Sequence, residues 1–206
     1  SAIAIGINAG QTGQGNNSIS IGLNAGQTNQ NTEAIAIGNS AGAQSQGTVA
    51  VAIGFGAGQF NQLSNSSRGS VAIGNLAANT DQGLGAIAIG HQAGLTAQKA
   101  NAVAIGVDAG SISQSNSAIA IGINAGRIEQ NFNSISIGVN AGQTGQNSNA
   151  VAIGINAGSI SQGVQAISIG ESAGSINQIA QAIAIGLQAG QGGQGTRSIA
   201  MGFQAG

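Results

Sequence analysis

Short runs in which small residues alternate with branched apolar ones, each closed by a glycine, set the rhythm of this chain. The pattern small–Ile/Val–small–Ile–Gly places its glycine at Gly6, Gly22, Gly38, Gly54, Gly74, Gly90, Gly106, Gly122, Gly138, Gly154, Gly170, Gly186 and Gly202. Eleven of these twelve intervals are 16 residues. The residues one and three before the glycine are Ile or Val, with Met201 the one departure, and those two and four before it are Ala or Ser. Period-two alternation over five residues predicts a β-strand. Self-similarity at a fixed short period predicts a stack of small units, each burying its apolar surface against its neighbours.

A second arm follows in every repeat. Ala stands three residues after the glycine, and four after it stands Gly, replaced once by Ala78. Six after it the side chain is usually Thr or Ile (Thr12, Thr28, Thr96, Ile112, Ile128, Ile160, Ile176). Eight after it is always Gln: Gln14, Gln30, Gln46, Gln62, Gln82, Gln98, Gln114, Gln130, Gln146, Gln162, Gln178 and Gln194. Strict alternation would place the Thr/Ile and Gln rows on one sheltered face and the mixed polar rows between them on a wet face. Glu33, Asp81, Asp108, Glu129, Glu171, Lys99, Arg127, Arg197 and His91 all fall on turns or on that wet face, as the cost of burying unpaired charge requires. The fold class is therefore all-β, a parallel β-roll or β-solenoid with 16-residue coils. About 13 coils form one repeat domain over residues 1–206, which reads as a piece of a longer array. At ~4.8 Å per coil it would make a rod ~60 Å long.

The first strand carries no charge on either face, and a roll's interior covers only one. Whichever of the Ala/Ser and Ile/Val rows points outward, it forms a continuous stripe that needs a cover. This predicts oligomerisation about the long axis, most simply as a homotrimer, with a dimer as the alternative. The core or trimer contact is assigned to Ile5, Ile21, Ile37, Ile53, Ile73, Ile89, Ile105, Ile121, Ile137, Ile153, Ile169 and Ile185. Apolar residues directly after the glycine, such as Leu23, Phe55, Val107 and Ile123, widen the stripe. The Gln row is assigned a structural role, amides hydrogen-bonding from coil to coil as in stacked Asn/Gln ladders.

Composition narrows the function. Of 206 residues 37 are Gly, none is Pro, Cys or Trp, only 4% are charged, and the net charge is −1. Nucleic acid attracts basic surfaces, which are missing. No long apolar run predicts membrane insertion. One His and no Cys supply neither a catalytic constellation nor a metal site, so no enzyme activity, cofactor, catalytic residue or metal ligand is expected, and His91 reads as an exposed turn residue. The Gly-Asp repeat of calcium-binding rolls is missing too, as Gly192–Gly193 precede Gln194. Ice binding would need Thr outward in every coil, whereas alternation puts it on the sheltered face.

The period breaks once, where 20 residues separate Gly54 from Gly74. The insertion lies within Leu63–Gly69 and is expected to bulge from the longer turn. Ser64, Asn65, Ser66, Ser67 and Arg68 form the candidate binding loop, since insertions in solenoids go to loops and loops often bind.

SVAIGNLA at Ser70–Ala77 and AIAIGHQAG at Ala86–Gly94 resemble the repeats in the heads of trimeric autotransporter adhesins, and the likeness runs through the whole chain. That resemblance implies a left-handed parallel β-roll, a homotrimer, and an extracellular surface that binds host matrix or cells. The 16-residue period is near the upper end for those heads. The AGQTGQ and AGQTNQ segments (Ala9–Gln14, Ala25–Gln30, Ala141–Gln146) are more similar to repeats in surface and fibre proteins of large viruses of algae and protists, and of some phages. The expected function is thus attachment to a host cell surface or cell wall through a glycan or protein. The location would be a virion surface or a bacterial outer-membrane surface, with the viral fibre favoured. A purely structural spacer rod is the alternative.

Overall fold

The computed structural model describes residues 1–206 and is an all-β parallel solenoid of about 12 turns, with coils of about 16 residues and no helix. It divides into two compact units, Ser1–Ala102 and Val103–Gly206. In the first, the principal sheet runs through Ile3–Ile5, Ile19–Ile21, Ile35–Ile37, Val51–Ile53, Val71–Ile73 and Ile87–Ile89 in that order. In the second it runs through Val103–Ile105, Ile119–Ile121, Ile135–Ile137, Val151–Ile153, Ile167–Ile169, Ile183–Ile185 and Ile199–Met201. Within each unit the pairing is parallel and in register, so that Ile19 lies beside Ile35 and Ile21 beside Ile37. A shorter parallel sheet accompanies each, formed by Thr28–Gln30, Gln44–Gln46, Phe60–Gln62 and Thr80–Gln82 in one unit and by Ile112–Gln114, Ile128–Gln130 and Thr144–Gln146 in the other.

The question of which face of the first strand is inside resolves against the larger side chains. Ala36, Ala52, Ala72 and Ala88 in one unit, and Ala120, Ser136, Ala152 and Ser168 in the other, have no exposure, while the Ile and Val beside them point outward, most of them half-buried and Ile89, Ile137 and Ile169 exposed. The coil is too narrow for anything larger. A Cβ added at Gly126 would stand 2.6 Å from Gln130 Cδ, and one added at Gly58 would stand 2.9 Å from Gln62 Cδ. Only Ala, Ser and Gly leave room for the glutamine side chains that fill the centre. The core is thus methyl groups packed around amides, with the branched aliphatics on its outer wall.

Strict alternation in the second arm is overturned. Thr28 and Thr80 are half-exposed, and Thr96, Thr144, Ile112, Ile160 and Ile176 are exposed, whereas Gln two residues later is buried. The physical reason is the residue between them, which takes a left-handed backbone: Asn29 at φ 55°, Asn61 at 55°, Asp81 at 56°, Ser113 at 58° and Glu129 at 56°. One such residue turns the chain, so its two neighbours no longer share a face. The arm is a corner of the coil, with Thr/Ile outside and Gln inside.

The repeat glycine is held by a stricter constraint. Its φ lies near 126°, as at Gly38, Gly74 and Gly138, and an added Cβ would meet the carbonyl oxygen of the same glycine in the next coil, 2.6 Å away at Gly122 and Gly138. The row four residues later accepts Ala78 at φ 44°, because there the neighbour is the end of a side chain rather than backbone.

Candidate functional site

Three features offer themselves to the outside: the amide ladders, the apolar outer wall and the inserted hairpin. The inner ladder forms because Gln follows the left-handed corner residue and is thrown toward the centre. In the first unit Gln30 Nε2 donates to Gln46 Oε1 at 3.1 Å, Gln62 to Gln82 at 3.0 Å and Gln82 to Gln98 at 3.2 Å. In the second the same bonds run without interruption from Gln114 to Gln194 at 3.1–3.2 Å. Each amide also donates to the carbonyl eleven residues earlier, as Gln146 Nε2 does to Ile135 O at 2.8 Å. Where the first strand carries Ser in place of Ala its hydroxyl donates to the ladder, as Ser20 Oγ does to Gln30 Oε1 at 2.7 Å. These amides are fully buried and available to no ligand. Only the corners display polar ladders outward, such as Asn124 to Asn140 to Asn156 at 3.1 and 3.0 Å.

Ile5, Ile21, Ile37, Ile53, Ile73 and Ile89 in the first unit, and Ile105, Ile121, Ile137, Ile153, Ile169 and Ile185 in the second, all lie on the outer wall. The Ile/Val row two residues before them runs parallel, and the residue after the glycine adds a third row that is more exposed, Phe55 at 52% and Ile123 at 49%. The first row was singled out from sequence as core or oligomer contact; the structure gives it no place in the interior of the chain's own roll.

The insertion leaves the stack without disturbing it. Leu63 N donates to Gln82 O (2.8 Å) on one side and Val51 N to Ser70 O (2.9 Å) on the other, so the coils above and below stay bonded. Between them Asn65 and Arg68 pair back to back, N to O at 3.2 and 3.1 Å, in a tight hairpin. Asn65 Oδ1 accepts from the backbone N–H of Ser67 and Arg68 at 3.0 and 2.9 Å, and Ser64 Oγ donates to Thr48 O at 2.6 Å. Asn65, Ser66, Ser67 and Arg68 are exposed. The hairpin has a cost beneath it. Ser18, Ser134 and Ser198 each donate to the carbonyl three residues earlier. The hydroxyl of Ser70, at the same coil position but displaced by the insertion, has no partner, and Gln62 Oε1 has none either.

His91 is exposed on its turn, and no group of three or more His, Asp or Glu converges in a way that could hold a metal ion. No helix is long and apolar enough to cross a membrane. Thr does face outward, contrary to the sequence expectation, but Gln44, Phe60, Ile112 and Ile160 interrupt its row, so the regular hydroxyl array that ice binding needs is missing for a different reason. The left-handed corner was missed in the sequence, although Gly13, Asn29, Asn61, Asp81, Gly145 and Asn177 in that row carry the signal, being residue types that tolerate such a backbone. No family model, curated protein or solved structure matches this chain.

Proposed function

We propose that the chain is a segment of a fibrous surface-attachment protein, three copies of which pack about a common axis through their Ile/Val rows. The observation that carries this reading is the direction of those rows. An outward wall of β-branched side chains in every coil is a poor surface to leave in water. At ~4.8 Å per coil and ~3.3 Å per residue, each unit presents roughly 400 Å² of planar apolar face. That already lies within the range of the largest patch found on an ordinary monomer, about 300–600 Å². Three-fold association and an extracellular role follow the resemblance to autotransporter heads, and the AGQTGQ-type segments favour a virion fibre over a bacterial adhesin. The binding partner is a polysaccharide or protein of the host surface. Three-fold symmetry would place three Leu63–Gly69 hairpins at one level as a belt, with Arg68 the charged residue in each.

A second reading, a spacer that carries another module, is favoured by the poverty of the remaining surface. Four Phe are the only aromatic residues, and the outer ladders are amides already bonded to one another, whereas binding hot spots draw on aromatics and Arg. Deleting Ser64–Ser67 separates the two readings. The deletion restores the 16-residue period and is expected to leave folding and the number of chains per assembly unchanged while lowering binding to intact host cells or isolated cell wall. Undiminished binding would favour the spacer.

A further inference from the structure

We propose that Asn65 is an acceptor for an N-linked glycan, attached at its side-chain nitrogen. The proposal goes beyond the attachment reading and does not rest on it, since the hairpin is the same in an adhesin and in a spacer. Asn65-Ser66-Ser67 is an Asn-X-Ser pattern without proline, the pattern at which asparagine is glycosylated in surface loops. The hairpin presents it in a competent form. Asn65 Oδ1 is fixed by the N–H groups of Ser67 and Arg68 at 3.0 and 2.9 Å, while its Nδ2 makes no hydrogen bond. Two donors on the amide oxygen make the Nδ2 protons more acidic, which is the direction needed for a nitrogen that must lose one. Ser67 is exposed and its hydroxyl makes no hydrogen bond, and although Ser64 is tied to Thr48 O and Arg68 lies beside Gly85, Asn65, Ser66 and Ser67 at the tip are exposed to solvent.

The same chain holds a contrasting case. Asn16-Asn17-Ser18 fits the pattern as well, yet Ser18 is 1% exposed and its hydroxyl donates to Gly15 O at 2.7 Å. That hydroxyl is withdrawn into the coil. Residues of the pattern are therefore offered at one place and locked at the other.

The donor class is a sugar activated at its anomeric carbon as a phosphate ester, on a lipid or a nucleotide. Nδ2 attacks the anomeric carbon and a C–N bond forms. The bond from that carbon to the phosphate oxygen breaks, its electron pair leaves on the phosphate or diphosphate, and one Nδ2 proton passes to a base of the transferase. No oxidant or reductant is involved. With sugar on Asn65 the hairpin presents carbohydrate and covers the neighbouring Arg68, so modification and direct contact through Arg68 are exclusive states of one loop.

The test is the full chain secreted from a eukaryotic cell, together with the chain from its natural source, each read by mass spectrometry. Cleavage after Glu33 separates the two acceptors. The expected result is an N-acetylhexosamine-containing mass on the Asn65 fragment in both samples and none on the Asn16 fragment. A peptide N-glycosidase should remove it and leave a carboxylate at that position. Asn65→Gln and Ser67→Ala should each abolish it with an unchanged number of chains per assembly and a cooperative melt retained, and Asn16→Gln should change nothing. An unmodified Asn65 in either folded sample, modification at Asn16 in its place, or retention in Ser67→Ala overturns the proposal.

Discussion

Gly138→Ala is expected to be a severely damaging methyl addition in the second unit, destabilising it by about 2–6 kcal/mol. Two costs add. At φ 126° the backbone of Gly138 is in a region closed to side chains, a strain of about 1–3 kcal/mol. The new Cβ would also stand 2.6 Å from Gly154 O and 2.8 Å from Gly154 C, and overpacking against backbone that cannot swing away costs about 1–3 kcal/mol more. The lesion falls between two coils, and the stability of a stacked array is close to a sum of nearest-neighbour terms. Thermal melting followed by circular dichroism should therefore show a lower and broader transition, with amide exchange faster on both sides of residue 138. Gly192→Ala is the control, because nothing lies within 4 Å of a Cβ there, and it should melt like the parent. Equal melting of the two variants would contradict the stacking geometry.

The second large effect concerns the inner ladder. Gln146→Met keeps the volume and removes the amide. Gln146 Nε2 is the donor to Gln162 Oε1 at 3.2 Å, its Oε1 accepts from Gln130 Nε2 at 3.2 Å, and the Ser136 hydroxyl donates to that same oxygen. The substitution orphans the buried Gln162 oxygen and strips Ser136 of its acceptor, at about 1–3 kcal/mol for each unsatisfied group. A loss of about 2–4 kcal/mol is expected in denaturant unfolding. Gln62→Met should cost less, because Gln62 Oε1 has no donor in the parent, so the ladder loses fewer bonds. If the two variants unfold alike, the amides contribute volume and not hydrogen bonding.

The period, the strand and the special status of the Gln row were legible because each repeats in every coil, and repetition multiplies a weak local signal. Residue size was legible too, though its meaning was not. Ala and Ser before every glycine could have lined an oligomer axis or a narrow interior, and only the closeness of opposite walls, seen where a Cβ on Gly126 would strike Gln130, settles that they face in. The second arm was misread because alternation was carried through a residue that breaks it. Asn29 and Asp81 look like exposed strand residues in sequence, and become corner residues only once their φ is known. The place of the inserted hairpin was evident from the interval between Gly54 and Gly74. Its internal pairing, and the unpartnered hydroxyl it leaves at Ser70, depend on contacts that no single repeat encodes.

Association through the outer wall is the claim on which the rest turns, and the mass of the purified chain in solution tests it most directly. Light scattering should give about three times the 19.7 kDa of one chain. Ile121→Asp gives the same measurement its control. Ile121 is half-buried on the outer wall, so in an isolated chain a carboxylate there stays solvated and costs little. In an assembly closed on the Ile/Val rows it is buried without a partner, at a cost of several kcal/mol per chain. The account predicts a trimeric mass for the parent and a dissociated or much less stable species for Ile121→Asp. A well-folded monomer for the parent, or a trimer indifferent to that substitution, would contradict it.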